Sequence, residues 1–183
     1  MNRRILLVLG VVFAVLIGIT YLQSRPTAPV IPTQDRFTSF IGRDLNMTVL
    51  DIQAIRLRDP QSDKSFVISR DANGNWTAPD SEGSLDTTAA SNIAKTVVAM
   101  PYSQSVSLEV NPDLTQYGFL PNGSLLVDIV LNHTSEGHAI AVGGLSPNGL
   151  EYYVLVDDKP QVLLIQRGAV DYLKSLVAKP PLT

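Results

Sequence analysis

Residues 124–166, SLLVDIVLNHTSEGHAIAVGGLSPNGLEYYVLVDDKPQVLLIQ, decide the fold. The stretch divides into four apolar segments of strand length, at about 124–131, 138–143, 151–156 and 161–166. Between them stand Thr134-Ser135-Glu136-Gly137, Pro147-Asn148-Gly149 and Asp157-Asp158-Lys159-Pro160, all rich in turn-forming residues. Connections this short join antiparallel strands, because a parallel crossover needs a dozen or more residues.

The same reading extends toward the N-terminus. Ala54–Arg58 and Ser65–Arg70 alternate apolar with polar side chains across Asp59-Pro60, which predicts a hairpin. A turn around Gly74 leads to a third short strand at Trp76. Asp86 is placed to cap a helix running to about Met100, with Ala90, Ile93, Ala94, Val97 and Val98 on its core face and Pro101 as its stop. Ser103–Leu108 predicts a fourth strand. In Asn111 to Gly118, Asn111 suits an N-cap, Pro112 the first helical position and Gly118 the left-handed C′ position. The result is a one-turn helix that presents Leu114, Tyr117 and Phe119 to a core. Val170, Leu173 and Leu176 mark a closing helix before Pro180 and Pro181. The expected fold is α+β: a mainly antiparallel sheet of about eight short strands with two packed helices and a one-turn helix.

A transmembrane helix is expected ahead of this domain. Residues 5–22, ILLVLGVVFAVLIGITYL, form an uncharged run of 18 residues. At helical rise that is roughly 27 Å, close to the hydrocarbon thickness of a bilayer. Arg3 and Arg4 hold residues 1–4 on the cytoplasmic side, and Tyr21 suits an interfacial belt. A cleaved signal peptide would close on small residues at the cut site, where this chain has Tyr21, Leu22 and Gln23. Residues 5–22 are therefore read as a single-pass anchor in the cell membrane, and residues 37–183 as an extracytoplasmic domain. Between them, residues 23–36 form a linker whose Pro26, Pro29 and Pro32 favour an extended polyproline spacer. Phe37, Phe40, Ile41 and Leu45 recur at helical spacing and predict a short amphipathic helix packed on the domain.

Composition narrows the function. The 183 residues are 45% hydrophobic and 17% charged, as expected of a folding chain. With no cysteine there is no disulfide, thiolate metal site or cysteine nucleophile. From Asp35 onward, 11 lysines and arginines face all 17 acidic residues, a net of −6. An acidic domain repels phosphate backbones, so nucleic acid is not an expected partner.

Several short motifs share one order and spacing. They are Gly74-x-Trp76, Asp113-Leu114-x-x-Tyr117-Gly118, Val142-Gly143, Ser146-Pro147-x-Gly149 and Tyr152-Tyr153. On these residues, from Ala54 to Ala178, the chain resembles the bacterial domain of unknown function 4340 family. Phe119 departs from the leucine usual after Tyr-Gly, and Pro121 comes one residue early. The resemblance implies a bacterial envelope protein with an N-terminal anchor. It also implies an association with auxiliary components of ABC-type transporters, including those of gliding machinery, and it names no activity and no site residue.

Little in the chain points to catalysis. There is no G-x-S-x-G elbow and no P-loop. His133 and His138 are the only histidines, set to face each other across a four-residue hairpin loop. With Glu136 they are the candidates for a metal site, and either would have to serve any hydrolase. No cofactor is expected. The expected role is a membrane-anchored, non-catalytic interaction or scaffold component of an envelope complex, with other envelope proteins as partners. The alternative is a ligand-binding or sensor domain with a pocket between sheet and helix near Tyr117, Tyr152 and Tyr153.

Overall fold

The structure is a computed structural model that describes residues 38–119, 121, 123–132 and 137–183. The apolar run 5–22, the linker 23–36, His133 and Glu136 lie outside them. Among the described residues no helix is long and apolar enough to cross a membrane.

Among the described residues, nine strands form one antiparallel sheet. They are β1 (Thr38–Ser39), β2 (Ile52–Asp59), β3 (Lys64–Arg70), β4 (Trp76–Thr77), β5 (Pro101–Ser107), β6 (Leu125–Leu131), β7 (Gly137–Leu145), β8 (Glu151–Val156) and β9 (Gln161–Gln166). Their order across the sheet is β1-β5-β9-β8-β7-β6-β2-β3-β4. The four segments of the opening stretch lie side by side at the centre, as their short connections require. Both edges are strands of two residues, which leave little flat edge for another chain to template on.

Among the described residues, two α-helices cover one face of the sheet. Helix α1 (Thr87–Ala99) begins at Asp86, whose carboxylate accepts the N–H groups of Thr88 and Ala89. Its buried residues Ala90, Ile93, Ala94 and Val97 recur at helical spacing, and Val98 packs at the margin. Helix α2 (Arg167–Ala178) buries Val170, Leu173, Leu176 and Val177 against the sheet. These side chains share one core with Ile55 and Leu57 of β2, Phe66 and Ile68 of β3, and the inward residues of β6 to β9. Burying each aliphatic side chain of this kind contributes roughly 1.5–3 kcal/mol. The α+β architecture and the antiparallel sheet agree with the sequence reading.

Two local expectations are corrected. Of residues 37–45, only Phe40–Asp44 is helical, as a single π-helical turn, and Thr38–Ser39 form β1, which pairs with β5. The segment does pack on the domain, since Ile41 is buried in the core. A tertiary contact redirects it, because the Ser39 hydroxyl donates to the Val98 carbonyl and accepts the Gly42 N–H. In the one-turn helix the cap is Asp113 and not Asn111. The helix covers Leu114–Tyr117, Asp113 accepts from the Thr115 N–H, and Asn111 sits in left-handed backbone at φ 59°. Gly118 does take the left-handed terminal position, at φ 72°.

Candidate functional site

Strand alternation sorts the candidate residues onto two faces. Tyr152 and Tyr153 are neighbours on β8, so they point to opposite sides. Tyr152 lies on the helix side, 6% exposed, and its hydroxyl donates to Asp171 of α2 at 3.0 Å. Burial, the bond to Asp171 and the negative charge there raise its pKa above the usual phenol value. Tyr153 lies on the outer face, where its ring meets Tyr117 edge-on at 5.1 Å. The structure thus brings Tyr117 and Tyr153 together and places Tyr152 across the sheet from them. The three do not line one pocket.

The outer face divides in two. Over β7 and β8, residues 114–119 cross the sheet, with Tyr117 and Phe119 6.5 Å apart between ring centres. Phe119 is buried, and so are Val162 and Leu164 on this side of β9. The crossing chain comes so close to β7 that only glycine fits beneath it. A Cβ on Gly143 would strike the Tyr117 carbonyl oxygen and approach the Phe119 ring to 3.1 Å. A Cβ on Gly118 would stand 2.6 Å from the Gly144 nitrogen. Gly143 and Gly144 therefore sit inside a strand, where they admit a second backbone; the turn expected from sequence lies further on, where Gly149 takes φ 70°.

The other half, over β6, β7 and the end of β8, is an open trough of about 540 Å³. Its floor is the outer side of β7, where Gly137, Ala139 and Ala141 alternate. Leu126, Asp128 and Val130 of β6 form one wall. Leu155 and Asp157, at the end of β8, form the other. Cross-strand register sets Leu126, Ala141 and Leu155 in one row. Asp128 and Ala139 pair in the next row, which ends at Asp157.

Asp157 closes one end of the trough and bonds His138, which alternates with the floor residues of β7. His138 Nδ1 lies 2.8 Å from Asp157 Oδ2, an ion pair when the ring is protonated. The other carboxylate oxygen of Asp157 accepts the Ala139 N–H at 2.9 Å, and the Asp157 N–H donates to the Ala139 carbonyl at 2.8 Å. Asp157 therefore latches the β8–β9 turn to β7, in left-handed backbone at φ 52°. Sequence reading took Asp157-Asp158 as a plain hairpin turn and missed this partner of His138. The opposition expected of His133 lies outside the described residues; in the described register His138 stands opposite Ile129. A histidine–carboxylate pair orients an imidazole, and base catalysis would need a nucleophile within hydrogen-bond reach of Nε2. No described hydroxyl is hydrogen-bonded there, and among the described residues no group of three histidines or acids could hold a metal.

The sequence carried one unused sign of the trough. Gly137, Ala139 and Ala141 are small residues at alternate positions, which is how a strand lays a bare floor between taller neighbours. Comparison with family models, with curated proteins and with solved structures returned no match to this chain.

Proposed function

We propose that the chain is a membrane-tethered, extracytoplasmic and non-catalytic module that scaffolds a protein complex of the bacterial cell envelope. The observation that supports it best is the open half of the outer sheet face. There Leu126, Ala141 and Leu155 form an apolar strip beside a core already filled by two helices. Apolar surface set in a polar rim is the usual mark of a protein contact. Of the polar groups beside the strip, Asp157 helps to hold the turn through His138 and Ala139. The tether rests on the uncharged run 5–22 and on Arg3 and Arg4, and the envelope location on the family resemblance of residues 54–178.

Two measurements test this reading. In cells whose outer barrier is permeabilised and whose inner membrane is sealed, added protease should digest the C-terminal domain. Survival of that domain until lysis would refute the orientation. Cross-linking in intact cells, followed by purification of the full chain from solubilised membranes, should recover the same stoichiometric envelope protein each time. A chain that elutes alone would remove the scaffold role.

A further inference from the structure

We propose that the trough over β7 receives an extended segment of a partner protein that carries an apolar residue and, two positions along, a lysine or arginine. The inference rests on the interaction-module reading above and supplies the chemistry of the partner.

The width of the trough selects an extended chain. Its walls stand on the strands either side of β7, so they are roughly 10 Å apart. A helix, about 10 Å across with its side chains, would bridge the walls without reaching the floor. An extended segment fits between them, and its alternate side chains repeat at about 6.8 Å, the spacing of alternate floor residues. A Cβ on Gly137 would strike the Ile129 carbonyl oxygen, so the first floor position stays bare.

The rows of the trough then assign the side chains. Above Ala141, Leu126 and Leu155 present apolar surface on both sides, a seat for an aliphatic residue. One row along, Ala139 lies between Asp128 and Asp157. Asp158 adds a third carboxylate, and among the described residues no lysine or arginine lines the trough, although Arg56 of β2 stands opposite Asp128 and His138 holds Asp157, so acidic groups outnumber basic ones around the seat. A cation seated above Ala139 meets opposite charge from both walls. A lipid phosphate or a nucleic-acid backbone meets repulsion there. Charge complementarity therefore commits the site to a basic and apolar polypeptide.

The test is an amide-shift titration of the isotope-labelled, solubilised full chain. The probe is a capped five-residue peptide with leucine, lysine and valine at alternate positions, separated by serine. Saturable shifts are expected at Leu126, Ala139, Ala141 and Leu155 at roughly millimolar peptide. The same peptide with glutamate in place of lysine should leave them unmoved. Asp128 is exposed, so Asp128→Asn should keep the thermal midpoint and weaken binding about five- to tenfold, the loss expected of one charge-assisted contact. Ala141→Leu fills the apolar seat and should abolish the shifts. Equal binding of the glutamate peptide, shifts confined to another face, or no saturation would each overturn the proposal. Recovery of a cross-linked partner alongside any of these results sinks the trough and leaves the scaffold role standing. Absence of a partner with a positive titration does the reverse.

Discussion

At the scale of single residues, Gly143 is the most constrained position on the outer face. Its backbone φ is ordinary, so conformational freedom does not explain it. What requires glycine is the Tyr117 carbonyl and the Phe119 ring pressed against the place where a Cβ would stand. Backbone cannot yield as a flexible side chain can, so the strain of an added methyl group must lift the crossing segment. Gly143→Ala should cost about 2–3 kcal/mol of unfolding free energy, at the upper end for overpacking. Gly168 lies within α2 with nothing near its Cβ position, and there alanine only improves helix propensity. Gly168→Ala should stabilise by up to about 1 kcal/mol. Urea unfolding of the two variants tests the contrast, and a neutral Gly143→Ala would mean that the segment does not pack as described.

At the scale of elements, the β8–β9 turn shows how one side chain ties a turn to the neighbouring strand. Asp157 accepts from the Ala139 N–H, pairs with His138 and takes left-handed backbone. Asparagine tolerates that backbone and keeps one acceptor oxygen, whereas alanine keeps neither feature. Asp157→Asn should therefore cost less than Asp157→Ala, for which about 1–3 kcal/mol is expected from the bonds lost and the φ. Equal thermal shifts for both would show that the latch is not what fixes the turn. The bond between His138 and Asp157 spans 19 residues, and neither the turn chemistry of 157–160 nor the strand pattern of 138–143 announces it. Helix α1, by contrast, was legible in full. Its cap Asp86, its stop Pro101 and the spacing of Ala90, Ile93, Ala94 and Val97 are all local signals. The central strands were legible for the same reason. The segment around Phe40–Asp44 carries an equally good helical spacing and makes only one turn, because Thr38 and Ser39 are drawn into pairing with β5. The cap at Asp113 was ambiguous in sequence, since Asn111 offers the same chemistry two residues earlier, and only the backbone angles decide between them. The trough was partly legible, in the alternation of Gly137, Ala139 and Ala141. Its acidic walls were not, because Asp128 and Asp157 reach one row only through register between strands.

At the scale of the whole molecule, the carboxylates used for local structure give the fold a common sensitivity to acid. Asp51 bonds Thr48, Asp59 bonds Ser62 and Gln61, Asp71 closes the turn to Asn75, and Asp113 caps the one-turn helix. In each, the hydrogen bonds favour the ionised form and hold the folded pKa below the ordinary aspartate value. Asp171 follows the same rule through Arg167, with Tyr152 as a second donor. A carboxyl whose folded pKa is depressed takes up its proton first in the unfolded chain. Stability from these groups is thus complete above about pH 5 and is lost as the pH falls through the unfolded and then the folded values. The urea midpoint should stay level from neutral pH down to about pH 5 and then decline. Replacing Asp171 by asparagine isolates one contributor: at pH 7 the variant should be less stable by about 0.5–1 kcal/mol, a small figure because the side chain is 42% exposed and its pairing is screened by water. Between pH 4 and pH 2 the variant should lose less stability than the parent, so the two curves converge. Curves that stay parallel to the lowest pH would show that Asp171 does not contribute through its charge.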